Sequence, residues 1–333
     1  MVIMDVPSNQ DMFTESEICD AQISPLIYST PGCVKEGTQV ADSVRGEYGA
    51  TVAKWRLARR LIAMRQRTGL STPQVDAKLH WERGRLQRIQ SNRWSLPDIS
   101  TVRDLLRFYN ASDKEQEEAI DLALHARARL WWREYVGDSK DKNRVFENEF
   151  PGFENDAARI SVYLPLVIPG LLQTPAYIEA LLAAGVKPPA WQKRAMEARL
   201  RRQQILERTN GTAPRLTAVI TEASLMYHVG SQADRRNQIA HLAAMSRRPN
   251  VELRLLRFAD GPHPGMCGPI NIFDFPDDED PRIVFLETDT AIQEVTRADD
   301  ARDYMTTFTR VRDAALNPAR TTTCLEELAE TLE

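Results

Sequence analysis

The chain has 333 residues, with 43 Lys+Arg against 47 Asp+Glu for a formal net charge of −4, and is 42% hydrophobic and 27% charged. These are the proportions of a soluble globular protein with room for two domains. No apolar run approaches the roughly 18–20 residues that span a bilayer, and the acidic start MVIMDVPSNQDMFTESE lacks the basic and apolar regions of a secretory signal.

The four cysteines, Cys19, Cys33, Cys267 and Cys324, form no C-x-x-C pair and lie beside no histidine at ligand spacing. The expectation is reduced thiols in a cytoplasmic protein, with no metal site and no cofactor. Charge is unevenly spread. Residues 1–50 hold 2 basic against 8 acidic side chains, residues 51–110 hold 13 against 4, and residues 111–333 hold 28 against 35. A single basic segment in an acidic chain points to a polyanion partner for that segment alone.

Residues 1–45 sustain no apolar period and read as a disordered acidic tail. Residues 46–110 read as a bundle of short helices. Leu57, Leu61 and Met64 recur at helical spacing, Gly69 ends that helix, and Ser71 or Thr72 caps the next, with Pro73 in its first turn. Val75 and Leu79 face inward, His80–Trp81 make a tight turn, and Leu86 and Ile89 mark the inner face of a third helix. Val102, Leu105, Leu106 and Tyr109 form a further stripe.

Residues 111–150 read as a connection. It holds an amphipathic helix over 113–135, with Ile120, Leu124 and Trp131 near one face, and a charged linker over 137–150. From 151 to 333 the pattern alternates. The apolar run SVYLPLVIPGLLQT gives way to a helix near 175–184 capped by Thr174, then a basic helix near 190–208. Strands are expected at 216–221, 251–258, 269–275 and 282–287, with helices near 232–246 and 298–315. The fold class is therefore α+β: an all-α N-terminal domain, then a mixed α/β domain with about four strands.

Short helices about a turn, with a one-signed charge, are the footprint of a helix-turn-helix that sets its second helix in the major groove of double-stranded DNA. The expected recognition helix is ERGRLQRIQ (82–90). With Leu86 and Ile89 inward, Arg83, Gly84, Arg85 and Arg88 are the expected base-reading positions, since two parallel guanidinium donors match guanine. Thr72 and Gln74 at the start of the preceding helix, with Arg59, Arg60, Arg65 and Arg93, are the expected phosphate contacts.

These residues resemble phage-repressor (Cro/Xre-type) helix-turn-helix regulators; GLSTPQVDAKLHWERGRLQRIQ (69–90) fits in length and apolar spacing. Further along, LPLVIPGLLQTPAYIEALL (164–182), RRQQIL, TEASLMYHVG, and NVELRLLRFADGPHPGMCGPINIFDFP (250–276) with RIVFLET resemble the domain of unknown function, antitoxin-like, that is fused to such regulators in actinobacteria. The resemblance covers about 55–315. It implies a dimeric cytoplasmic transcription regulator, often encoded beside a short partner protein, and no known ligand; the function expected is a nucleoid-associated regulator of double-stranded DNA whose C-terminal domain senses a small-molecule effector or a protein partner.

Four positions depart from the pattern. Asp76 replaces a small residue and needs a partner, with Arg85 and Arg88 as candidates. His80 replaces the turn glycine, Glu82 replaces the Ser/Thr cap, and Gly84 falls within the expected recognition helix. They motivate an alternative: an antitoxin-like protein-interaction module with a degenerate helix-turn-helix. The loop Asp260, Gly261, His263, Pro264, Gly265, with Cys267, reads as turn chemistry rather than a catalytic cluster, and the chain is expected not to be an enzyme. Trp131 and Trp132 read as packing residues, and the acidic stretch 277–280 as a solvated turn.

Overall fold

The structure, a computed structural model, describes residues 48–92, 94, 96–135, 149–185, 187–287, 292–295 and 297–332. The tail expected over 1–45, most of the expected linker, and Arg93 lie outside them.

Helices α1 (Ala50–Arg67), α2 (Thr72–Lys78), α3 (Arg85–Gln90), α4 (Ile99–Phe108) and α5 (Asp113–His125) enclose one core. Leu57, Leu61 and Met64 of α1 meet Val75, Leu86, Ile89, Val102, Leu105 and Leu106 there. The helix starts are fixed by side chains. Ser71 and Gln74 form a capping box on α2, Ser112 and Glu115 another on α5, and Asp98 accepts the Thr101 amide at 3.0 Å on α4. Helix α5 closes this core rather than leading away from it, and it ends at His125, ten residues before the expected end. Its buried face is Ala119, Leu122 and Ala123, whereas Leu124 is 57% exposed. Weighting the large apolar residues misplaced the stripe, because the contact with α1 is close enough to be made by alanines. Trp131–Tyr135 forms a separate 3-10 turn, with Trp132 buried against Ala198.

The rest of the chain builds a six-stranded sheet in the order β3-β2-β1-β4-β5-β6. The strands are β1 (Arg159–Leu164), β2 (Arg215–Thr221), β3 (Val251–Leu256), β4 (Ile270–Asp274), β5 (Ile283–Glu287) and β6 (Ile292–Val295). Strands β1–β2 and β2–β3 pair in parallel across helical crossovers, while β1–β4, β4–β5 and β5–β6 are antiparallel. The two strands beyond the expected four are β1, the start of the SVYLPL run, and the short β6.

Alternation sorts each strand between two cores. Ile160, Val162, Leu216, Ala218, Ile220, Leu253, Leu255 and Phe273 face the larger one, with Phe150 and Phe153 of α6 (Phe150–Asp156). Helices α10 (Gln232–Ser246) and α12 (Pro318–Thr331) cover that side through Ile239, Leu242 and Leu325. Tyr163, Val219, Ile272 and Val284 face the other core, covered by α11 (Ala298–Ala314) through Phe308 and Val311.

The larger core also takes in Val52 and Trp55 of α1. Trp55 stands against Phe153 and Phe275, with ring centroids 5.8 and 5.5 Å away. Helices α1 and α6 approach so closely that a Cβ at Gly152 would lie 2.0 Å from Thr51 Oγ1 and 2.5 Å from its Cβ. Buried Lys54 donates to Glu149 Oε1 at 2.6 Å, and Arg56 donates twice to Asp280 at 2.8 and 2.6 Å. Asp280, read as part of a solvated turn, is thus a buried anchor with its side chain 4% exposed.

Candidate functional site

The helix-turn-helix is α2, the turn at 79–84, and α3. His80 takes φ 54° and Gly84 φ 84°, so the chain is bent by two left-handed residues on either side of Trp81–Arg83. Gly84 is the residue at the head of α3 rather than an interior one, and its positive φ is what glycine tolerates without strain. Asp76 has neither Arg85 nor Arg88 as partner. Its carboxylate, 2% exposed, accepts the backbone amides of Gly84 at 2.8 Å and Leu86 at 2.9 Å. A side chain of α2 therefore caps α3, doing from the neighbouring helix what a Ser or Thr does locally. Glu82 is left free of that task and pairs with Arg88 at 3.2 Å.

The expected contact residues separate into two groups. Arg88 is exposed on α3, and Arg83 is exposed in the turn before it. Among the described residues Arg88 is engaged only by Glu82, in an exposed pair of a kind worth at most about 1 kcal/mol and readily exchanged. Gln87, which the sequence reading passed over, is exposed between them and receives the Thr72 hydroxyl at 3.4 Å. Its signal was available: it is the one residue of Leu86–Ile89 other than Arg88 that the inward pair leaves outside.

The second group makes contacts within the protein, Arg65 and Arg85 half-buried and Gln74, Arg59 and Arg60 exposed. Arg85 lies 4.5 Å over the Trp81 ring and donates to Thr101 Oγ1 at 2.7 Å; Thr101 in turn donates to Asp98. Arg65 donates to Leu70 O at 2.6 Å and to Gln90 Oε1 at 3.0 Å, tying α1 to the turn and to α3. Gln74 Oε1 accepts from Ser71 in the α2 cap. Arg60 pairs with Glu118 of α5, and Arg59 with Asp280 at 3.3 Å. At 100° per residue, Arg59 and Arg60 lie on flanks of α1 away from the Arg65 side that touches α3.

A second feature lies under the sheet. The segment 165–174 (PLVIPGLLQT) is held by side chains on its carbonyls. Gln203 donates to Gly170 O and Gln173 O at 2.8 and 2.7 Å, and Gln238 donates to Leu172 O at 2.8 Å while accepting Thr174 N. Beneath it is a cavity of about 300 Å³, walled by Phe150, Ile160, Val162, Leu164, Ile168 and Leu171 and reached by Gln173, Arg199, Arg202, Asn271 and Glu287. Arg202 is clamped by Glu154 at 2.6 and 2.8 Å. Burial opposes the Arg202 charge, but Glu154 more than offsets it and holds its pKa above the ordinary value. Among the described residues Arg199 has no such hydrogen-bonded partner: burial, and then the charge of Arg202, bring it down to about 10, with the charge of Glu287 opposing them.

In the loop 260–267 the side chains of Asp260 and His263 are engaged by the rest of the fold. Asp260 is engaged by Arg257 at 2.7 Å, and the His263 ring packs edge-on to Tyr163 at 5.8 Å. Among the described residues no group of three His, Cys, Asp or Glu could hold a metal, and no helix is long and apolar enough to cross a membrane.

Comparison with the curated proteins and with the solved structures gives no match. Residues 56–119 match a helix-turn-helix domain, a span that begins within α1 and includes the first half of α5. Residues 148–327, covering α6 and most of the sheet domain through α12, match the family described as a domain of unknown function (DUF5753). With more than half of its length in that match, the chain belongs to the DUF5753 family and carries a helix-turn-helix domain at its N-terminal side.

Proposed function

We propose that the protein is a DNA-binding transcription regulator of the Cro/Xre type, acting as a cytoplasmic homodimer on the nucleoid, whose C-terminal domain senses a small molecule or a protein partner. One observation carries the reading. Gln87 and Arg88 are exposed on a capped recognition helix, and Arg83 is exposed in the turn just before it, where base edges and the adjoining backbone would be met. Thr72 in the first turn of α2 is the phosphate contact beside them. The departures that favoured a degenerate motif lose their force. Asp76 completes the motif, and His80 adopts the turn conformation itself.

A protein contact also has support. Of the exposed large apolar side chains, Leu166, Val167, Met226, Tyr227, Phe258 and Met266 all fall at the end of the sheet where β1, β2 and β3 finish and β4 begins. Such side chains offer roughly 500–600 Å² per copy, near the ~800 Å² that each partner contributes to a stable interface. We assign this rim to a second copy of the chain, which would set two recognition helices on half-sites about 34–36 Å apart. No catalytic role is assigned to Asp260, His263 or Cys267.

Selection of bound duplexes from a random pool tests the DNA reading. The expected result is an enriched two-fold motif, with Arg88→Ala relaxing preference at one position of each half-site by about 1–3 kcal/mol. Absence of any bound duplex at ~50 mM salt, with folded protein, would sink it.

A further inference from the structure

The cavity under the 165–174 segment has unmatched polarity. Its apolar walls account for most of the lining, and Arg202 is neutralised by Glu154. Among the described residues, two lining atoms are buried without a partner: the donor Arg199 Nη1 and the acceptor Gln173 Oε1. Gln173 is 5% exposed, and its orientation is fixed because its Nε2 donates to Ile168 O at 2.7 Å. A buried donor and acceptor left unpaired cost stability, and an unpaired guanidinium costs more. A fold that keeps both beside a void, on a segment braced by two further glutamines, is arranged for an occupant.

We propose that this cavity binds a small organic carboxylate with an apolar body and one hydrogen-bond donor, such as a hydroxyl or amide N–H. The carboxylate accepts from Arg199 Nη1, the donor reaches Gln173 Oε1, and the apolar body lies along Phe150, Val162, Leu164 and Leu171. About 300 Å³ is at the small end of ligand cavities, which suits a molecule of roughly a dozen heavy atoms. Glu287, at the exposed end of β5, lies on the same cavity and selects against dianions. The inference rests on the sensing role proposed above and names its ligand class. The wall residue Phe150 and the Arg202 partner Glu154 sit on α6, the helix whose Phe153 meets Trp55 of α1.

The test is calorimetric titration of the full chain with 3-hydroxyoctanoate, octanoate, octan-1-ol and inorganic phosphate. The expected order is 3-hydroxyoctanoate, then octanoate about tenfold weaker, with octan-1-ol and phosphate at least a hundredfold weaker. Arg199→Met should cut 3-hydroxyoctanoate affinity at least tenfold while leaving the melting temperature of the unliganded protein equal or higher, a combination that a structural arginine would not give. Gln173→Leu serves as a second variant and should remove the preference for 3-hydroxyoctanoate over octanoate. Binding of octan-1-ol or phosphate as tight as the carboxylates, or no carboxylate binding at millimolar concentration by folded protein, overturns the proposal. A separate gel-shift arm with 3-hydroxyoctanoate keeps the two readings apart. Carboxylate binding with unchanged DNA affinity upholds the site and removes the sensing role from it.

Discussion

Removing the Asp76 carboxylate is the sharpest perturbation of the DNA-binding half. Asp76→Ala leaves the amides of Gly84 and Leu86 without their acceptor at the head of α3, in a place 2% exposed where water cannot substitute. Loss of a helix cap costs about 0.5–2 kcal/mol, and a buried donor left unsatisfied costs about 1–3 kcal/mol. The two descriptions overlap, because the orphaned amides are the lost cap, so about 2–4 kcal/mol covers both bonds. At about 2–4 °C per kcal/mol for a domain of this size class, the melting transition should fall by roughly 4–16 °C. Asp76→Asn keeps one acceptor oxygen and should lose about half as much. Asp104→Ala, which removes an exposed carboxylate 3.9 Å from Arg107, should change little. Hydrogen exchange locates the effect: the amides of Gly84 and Leu86 should exchange faster in Asp76→Ala, while those of α11 keep their protection. A loss below about 0.5 kcal/mol, or unchanged exchange at those two amides, would refute the capping argument.

Four further outcomes are expected. Arg60→Ala should leave duplex affinity and its salt slope unchanged in a fluorescence titration, because Arg60 lies on the α5 flank of α1, beside Glu118 and away from the side that touches α3; a slope reduced by about one would instead mark it as a phosphate contact. Trp55→Ala should cost about 3–5 kcal/mol in urea unfolding, since it empties a 9%-exposed site between Phe153 and Phe275. Stability should be level above about pH 7 and decline as pH falls through 6.5, followed by thermal melts. His241 is held below its ordinary value by burial and then by Arg248, and His263 by burial, so the unfolded chain takes up these protons first; a His241→Gln/His263→Gln variant should flatten the decline. Sedimentation should give a dimer for the native chain and a monomer for Phe258→Asp/Met266→Asp; a native monomer at micromolar concentration removes the rim from the dimer interface.

What the sequence disclosed and what it hid divide along physical lines. Periodic and capping signals are local, and they were readable: the α1 stripe, the Ser71 cap, the turn at His80, and strands β2 and β3 with the helix between them, though not their parallel pairing. The partner of Asp76 was not readable, because an amide ten residues away carries no side-chain signature. The inward turn of Arg85 was equally hidden, since it depends on Trp81 and on Thr101 of another helix. Residue size misled at α5, where Ala119 and Ala123 make the contact and Leu124 does not. The partner of Arg202 in α8 (Pro189–Gln203), a helix rich in basic residues, was likewise hidden, because Glu154 lies 48 positions earlier.

The position of α1 determines how the two halves can communicate. Two domains joined by a loose connection move independently by default. Here one helix contributes Leu57 and Leu61 to the DNA-binding core and Val52 and Trp55 to the sheet core. Lys54–Glu149 and Arg56–Asp280 brace it from the same side. An occupant of the sheet-domain cavity therefore cannot act by releasing the helix-turn-helix on a tether. It must favour one seating of α6, and with it of α1, over another, and its effect is limited by its differential affinity for those seatings. The helix-turn-helix would follow as a unit, because Arg65 ties α1 to α3 through Gln90 and Asp76 ties α2 to α3. In a dimer joined at the sheet rim, a small rotation of α1 would change the separation of the two recognition helices while leaving the reading edge of Arg83, Gln87 and Arg88 intact. Regulation built this way would alter operator affinity through half-site spacing and not through loss of base contacts.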